Sequence, residues 1–288
     1  MEKKKIQLLT ILAVLCISGG LINQSKNHPK SNLEKRENDL ILSATWIFTK
    51  MIIEIDNLDP NKTWSKVALD NAWCSGSGTW SDPYVIENIS LNSQNSGNCI
   101  EIKNSNDFFI IRNNYLYNST FTALYLSNTT NGRIVNNTLT DLFWKGIELD
   151  YSNNNTIIEN IVTTNGYGFY LDNSQNNTII QNSIVNNVWD GVNMQYSSNN
   201  TLFLNNISSN GHDGLFLSAS SHNNLSNNIV NFNQENGIYL YSYYGSCDFN
   251  RLQQNNAYFN QKSGFRISGS NNTLLKNVAN FNFDGGIE

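Results

Sequence analysis

Asp190 and Asp213 stand 23 residues apart, each directly before a glycine, and His212 adjoins the second. Two carboxylates brought within about 5 Å can share a proton as an acid/base pair or hold Ca2+ between them. The same pattern has a plainer use, because Asp before Gly favours a bend. Glu148 and Asp150, two residues apart, form a second acidic group with Asp172, 22 residues further on. Tyr125, Tyr170, Phe216 and Tyr239 recur in the same frame, as does Asn193. Such rings among Asn, Asp and Glu suit sugar binding, with ring faces on pyranose C–H groups and polar side chains on the hydroxyls. They equally suit cross-strand stacking within a sheet.

The elements that must position these residues are set by a repeat. A small residue followed by apolar-x-apolar occurs as ALYL at 123–126, GIEL at 146–149, GFYL at 168–171 and GVNM at 191–194. It continues as GLFL at 214–217, GIYL at 237–240, GFRI at 264–267 and Gly286-Ile287, with a weaker copy, CIEI, at 99–102. From the first of these the steps are 23, 22, 23, 23, 23, 27 and 22 residues. Asn114, Asn137, Asn160, Asn182, Asn205, Asn228, Asn255 and Asn277 keep the same register, and further Asn columns lie five residues to either side. Apolar columns run between them, such as Ile134, Ile157, Ile179, Leu202, Leu225, Leu252 and Leu274.

Apolar-x-apolar pieces point alternate side chains inward. Asn bounds each piece, and Asn is a turn former rather than a helix former. One repeat therefore makes about three short strands and three corners, and it buries its inner face only by stacking on its neighbours. The predicted fold is all-β: a single-stranded right-handed parallel β-helix of about eight coils of ~23 residues. Stacked Asn amides bond each other and the corner backbone. The Gly or Ala column marks either a close approach or a positive φ. Four additional residues between 237 and 264, in a tyrosine-rich stretch with Cys247, loop out of one corner.

Runs such as NNTIIENIVTTNGYGFYL (154–171) and NNTIIQNSIVNN (176–187) resemble the parallel β-helix repeats of the NosD-like and pectate-lyase-like superfamily, described as carbohydrate-binding and sugar-hydrolase modules. The opening CSGSGTWSDPYVIENISL (74–91) is similar to the start of many extracellular members. The resemblance covers about 84–288 and implies the fold; the superfamily holds lyases, hydrolases, epimerases and non-catalytic proteins. The copper attached to NosD-like proteins needs clustered His, Met or Cys. The chain has only His28, His212 and His222, so copper is not carried over. No Lys or Arg is expected on a coil next to Glu148, Asp150 and Asp172, which weakens a lyase reading.

Asn supplies 53 of the 288 residues, while only 14% are charged. Residues 1–20 read as a signal peptide, with Lys3, Lys4 and Lys5 before an apolar core at 6–17. Residues 21–45 read as a polar linker, 46–83 as an N-terminal cap with a short helix started by Asp59-Pro60, and 84–288 as the solenoid. Beyond residue 20 the chain carries 15 basic and 22 acidic residues (18 − 3 and 23 − 1), net −7, which argues against nucleic acid and anionic membranes. After signal cleavage no membrane insertion is expected, and the protein is expected to be secreted or on the cell surface. Cys74 and Cys99 either form a disulfide or are buried as small hydrophobes. Asn61, Asn88, Asn118, Asn128, Asn154 and others lie in N-x-S/T sequons.

The favoured function is a non-catalytic module that binds a polysaccharide or glycan through Tyr125, Tyr170, Phe216, Tyr239, Glu148 and Asp172, or that serves a structural role at the cell surface. The alternative is a polysaccharide lyase, glycoside hydrolase or epimerase centred on Asp190, Asp213 and His212. No cofactor is expected other than Ca2+ at the Asp pair. The sequence stops directly after a marker glycine, so end-to-end self-association through the last coil is a further expectation.

Overall fold

The computed structural model describes residues 46–288; the expected signal peptide and linker lie outside the described residues. Strands pair in parallel with strands one period away, which makes the fold a β-solenoid. One sheet has ten strands, of which Cys74–Ser75 alone pairs antiparallel. The other nine count the coils, close to the eight expected. A typical coil makes three strands, as in Thr178–Ile180, Ser183–Val185 and Val192–Gln195. Two long strands, Thr138–Asp150 and Ile161–Asp172, run through a corner and join two faces into one 15-stranded sheet.

Register follows the apolar columns. Ile134, Ile157, Ile179, Leu202, Leu225 and Leu252 lie Cα over Cα and are fully buried. Sliding one coil by a residue would turn each of these outward, so the buried face locks the register.

Corners are held by the Asn ladders. Asn205 Oδ1 accepts the backbone N–H of Asn182 at 2.9 Å and its Nδ2 at 3.0 Å. Asn205 Nδ2 donates to Ile179 O of the coil before, at 2.9 Å, and to Asn228 Oδ1 of the coil after, at 3.0 Å. Each ladder amide thus satisfies backbone groups that a buried corner would otherwise strand. A serine ladder that the sequence reading missed does the same: Ser152, Ser174 and Ser197 each donate a backbone N–H to the next hydroxyl oxygen, ending at Ser220.

The positive φ at the corners falls on the residue before each ladder Asn. Glu159, Gln181, Leu204, Asn227, Gln254 and Lys276 have φ between 54° and 57°. The glycine column does not need positive φ; it marks close approach. A Cβ on Gly168 would stand 2.3 Å from Gly191 O, and one on Gly191 2.7 Å from Gly214 O.

At the N-terminal end Trp46–Thr49 and Ile53–Asp56 both extend the 15-stranded sheet in parallel. The expected helix is present at Trp64–Asp70, but Thr63 caps it, its side chain accepting from Lys66 N–H. Asp59 instead lies in a turn, its carboxylate accepting the N–H of Asn61. Trp64 stacks on Tyr84 at 5.1 Å and donates its indole N–H to Ser105 Oγ at 3.0 Å. The additional residues after Gly237 form an exposed loop with Tyr243 and Tyr244 at its tip and Cys247 buried beneath.

The disulfide allowed from sequence does not form: Cys74 and Cys99 are both free and buried. Cys74 faces Ile86 on the antiparallel strand, and burial pushes both thiols up to about 12. They pack as small hydrophobes. Among the described residues no helix is long and apolar enough to cross a membrane.

Candidate functional site

The strands of the small-residue marker form one face. Their register aligns Tyr125, Glu148, Tyr170, Asn193, Phe216, Tyr239 and Arg266 in a single outward column. Two residues further on, Ser127, Asp150, Asp172, Gln195, Ser218 and Tyr241 form a second. All six residues expected to bind sugar therefore lie on one side of one sheet. Neighbouring members are one inter-strand spacing apart, about 4.8 Å.

A third column borders this face, made of the residues just before the marker: Lys145, Tyr167, Asp190, Asp213, Asn236 and Ser263. Strict alternation from Ile147 and Leu149 would turn Lys145 inward. The strand is irregular between Leu142 and Lys145, and Lys145, Tyr167 and Asp190 each meet the outward residue three positions later. Lys145 Nζ lies 2.7 Å from Glu148 Oε1, Tyr167 packs on Tyr170 at 5.4 Å, and Asn193 Nδ2 donates to Asp190 Oδ2 at 2.7 Å.

The expectation that no basic group stands beside the acidic cluster is thus wrong. Lys145 is 8% exposed, its ammonium sits 3.9 Å above the Tyr170 ring, and it pairs with Glu148. Glu148 also accepts from Thr122 Oγ1 at 3.0 Å, and Tyr125 OH donates to Asp150 Oδ2 at 3.2 Å. Trp144 and Trp189 meet edge-on at 5.1 Å, and Trp189 packs against Tyr167 at 4.9 Å. These residues form one continuous patch of a cation, carboxylates, phenols and indoles. Burial pushes the Tyr170 phenol up to about 12, and burial with the nearby Asp150 charge raises the Asp172 carboxyl.

Beyond Asn193 the face becomes aromatic again. Phe216, Tyr239 and Tyr241 pack mutually at 5.5–5.9 Å, and Tyr241 leads on to Tyr243 and Tyr244 in the loop. Arg266 lies over the Tyr239 ring at 4.9 Å and ends the strip. Asn193 is not a surface residue: it is 4% exposed and tied to Asp190.

Asp190 and Asp213 do stack, and both are almost wholly buried. Asp190 Oδ1 accepts the backbone N–H of Asp213 at 3.1 Å. Asp213 Oδ1 accepts the backbone N–H of Asn236 at 2.8 Å and its Nδ2 at 2.9 Å, and Asn236 Oδ1 accepts from Ser263 N–H at 3.2 Å. This is a fifth ladder, after the three of Asn and the one of Ser, and it runs in the opposite sense to the Asn ladders. Burial raises both carboxyls, and the Asp190 charge helps bring Asp213 to about 7. His212 is exposed beside them and donates its backbone N–H to Trp189 O. Among the described residues no group of three or more His, Cys, Asp or Glu side chains could hold a metal ion.

This parallel solenoid is a right-handed β-helix, and the chain belongs to the right-handed β-helix region family, whose model matches residues 72–189 and 144–277. No curated protein matches the chain in sequence. Among solved structures it is similar to the A-module of a mannuronan C-5 epimerase of Azotobacter vinelandii, with 14% identity, 70% of this chain and 62% of that one covered, and a TM-score of 0.57. A second such A-module from the same organism gives 16% identity, coverage of 70% and 63%, and a TM-score of 0.53. A double mutant of a periplasmic alginate epimerase gives 17% identity, coverage of 81% and 58%, and a TM-score of 0.65. The chain spans about three fifths of the length of these neighbours. At such identities the likeness is one of fold.

Proposed function

We propose that the protein is an extracellular or periplasmic β-helix module that binds a polysaccharide along the outward face of the marker strands. The single observation that carries this reading is the run of half-exposed rings, Tyr125, Tyr170, Phe216, Tyr239 and Tyr241, on one flat sheet beside Glu148, Asp150 and Asp172. A flat strip of rings offers stacking surface to a linear sugar chain, and the carboxylates offer acceptors to its hydroxyls. The solved structures of similar fold described above include epimerases named for mannuronan and for alginate, both polysaccharides, which agrees with a glycan as ligand.

A second reading, a polysaccharide-active enzyme, is favoured by Lys145. A buried ammonium against a phenol and between carboxylates is the kind of grouping that can move protons on a bound sugar. Under this reading the centre is Lys145, Tyr170, Glu148 and Asp172, rather than Asp190, Asp213 and His212, whose carboxylates are engaged in the ladder. Incubating the full chain with a panel of acidic and neutral polysaccharides separates the two. Retention without altered or shortened product supports the binding module. Product formation that disappears in Lys145→Met, with retention kept, supports the enzyme. No retention on any polysaccharide overturns both.

A further inference from the structure

A second built site lies on a different sheet, at the N-terminal end of the ten-stranded sheet. The loop 76–83 arches over the strand Phe109–Arg112 and leaves a cleft of about 300 Å3. Trp80 stands at its rim, 79% exposed, and meets Phe108 edge-on at 5.6 Å. The indole thus presents an open ring face at the cleft, on which the C–H face of a sugar ring can stack.

The loop that carries Trp80 is preformed. Thr79 and Asp82 exchange backbone hydrogen bonds at 3.2 Å, and Gly78 O accepts the N–H of Phe108 at 3.0 Å. Gly76 and Gly78 have φ of 97° and 77°, and a Cβ on Gly76 would stand 2.0 Å from Pro83 O. Gly132 forms part of the floor, where a Cβ would meet the Phe109 ring at 2.3 Å.

The polar wall comes from the neighbouring coils: Arg133, Asn154 and Thr156. Arg112, one strand away, is paired with Glu87 at 2.6 Å, and Arg266 faces Glu288 at 3.7 Å. Arg133 is exposed and has no ion pair among the described residues. In a chain with an excess of acidic residues, an arginine left without a carboxylate beside an exposed indole has free forked donors.

We infer that this cleft binds a sugar ring that carries an anionic oxygen group, a carboxylate or a sulfate, with the ring on Trp80 and the anion on Arg133. Asn154 and Thr156 supply the amide and hydroxyl for the ring's own hydroxyls. The site is independent of the marker-strand face, so one can fail while the other stands.

The test is titration of the full chain with three tetrasaccharides, read by calorimetry and by tryptophan fluorescence: a galacturonate, a sulfated galactan and neutral cellotetraose. One or both acidic oligomers should bind at least about ten-fold more tightly than the neutral one, as a charge-assisted forked contact implies. Which of the two binds assigns the anion. Arg133→Gln should remove that preference and Trp80→Leu should remove the binding. Asn224→Thr, on the outer surface of a later coil and in neither site, should change neither. Thermal melting of each variant confirms that it is folded. Equal binding of neutral and acidic oligomers, no binding at all, or a loss that follows Tyr170→Ala rather than Trp80→Leu overturns the inference.

Discussion

The Asp213 carboxyl is brought to about 7 by burial and by the Asp190 charge, whereas an Asp in the unfolded chain titrates near 3.9. The folded state therefore holds this proton more tightly. Its contribution to stability is complete below pH ~4 and is lost as the pH rises through about 7. At roughly 1.4 kcal/mol per pKa unit, the loss amounts to a few kcal/mol. The melting temperature should accordingly fall between pH 5 and pH 8. Asp213→Asn keeps the Oδ1 acceptor for the Asn236 N–H but cannot ionise, so it should flatten that dependence and raise the melting temperature at pH 8. A parent and variant that melt in parallel across this range would remove Asp213 as the titrating group. Asn205 tests the ladder at the same scale. Asn205→Leu deprives the Asn182 N–H of its acceptor and Ile179 O of a donor, each unmet group costing roughly 1–3 kcal/mol. Asn224→Thr, on the outer surface, should cost almost nothing by comparison. Similar denaturation midpoints for the two would show that the ladder amides do not carry the corners.

The element at issue is the coil corner, and here sequence and structure part in instructive ways. The period, the apolar columns and the three Asn columns were all legible, because each is a repeat of residue type. The corner residue at positive φ was not, because Glu159, Leu204 and Lys276 share a conformation without sharing a chemistry. The serine ladder escaped for a different reason: single hydroxyls carry little pattern against a polar background. Strict alternation along the strand conceals that Lys145, which follows the irregularity after Leu142, reaches the acidic face beside Glu148. The candidate sugar-binding column was legible because it lies beyond this irregularity, where alternation holds. The glycine column left two explanations open, and only the stacked backbone decides for close approach. Gly191→Ala would bring a Cβ to 2.4 Å from Ile207 Cγ2 and 2.6 Å from Asn210 Nδ2. Overpacking at such a site typically costs 1–3 kcal/mol, so a drop of about that size in unfolding free energy is expected. Denaturant unfolding of the variant with an unchanged midpoint would contradict the close-approach account.

At the scale of the whole molecule, stability is a sum over coils and their contacts, so the two ends differ from the middle. The N-terminal coils are covered by the Trp64–Asp70 helix, with Trp64 wholly buried against Tyr84 and Phe109. In the last coil the inward Leu274 and Ala279 are only half-buried, whereas Leu252 and Ala257 one coil earlier are fully buried. Amide hydrogens of 273–280 should therefore exchange faster than those of 201–208; equal protection in the two segments would show that the coils open as one unit. Stacking of the coils makes the outward face continuous from strand to strand, and a glycan laid along it would cross several coils at once. The central claim is tested most directly by retention of the full chain on immobilised polysaccharides, measured side by side for the parent, Tyr170→Ala and Phe216→Ala. The structure predicts a parent retained by at least one polysaccharide and a loss of about ten-fold in each variant, the worth of one stacked ring. Melting temperatures should stay close to the parent's. Variants that are retained as well as the parent, on every polysaccharide that holds it, would contradict a glycan-binding face and leave the strip of rings as a device for stacking the coils.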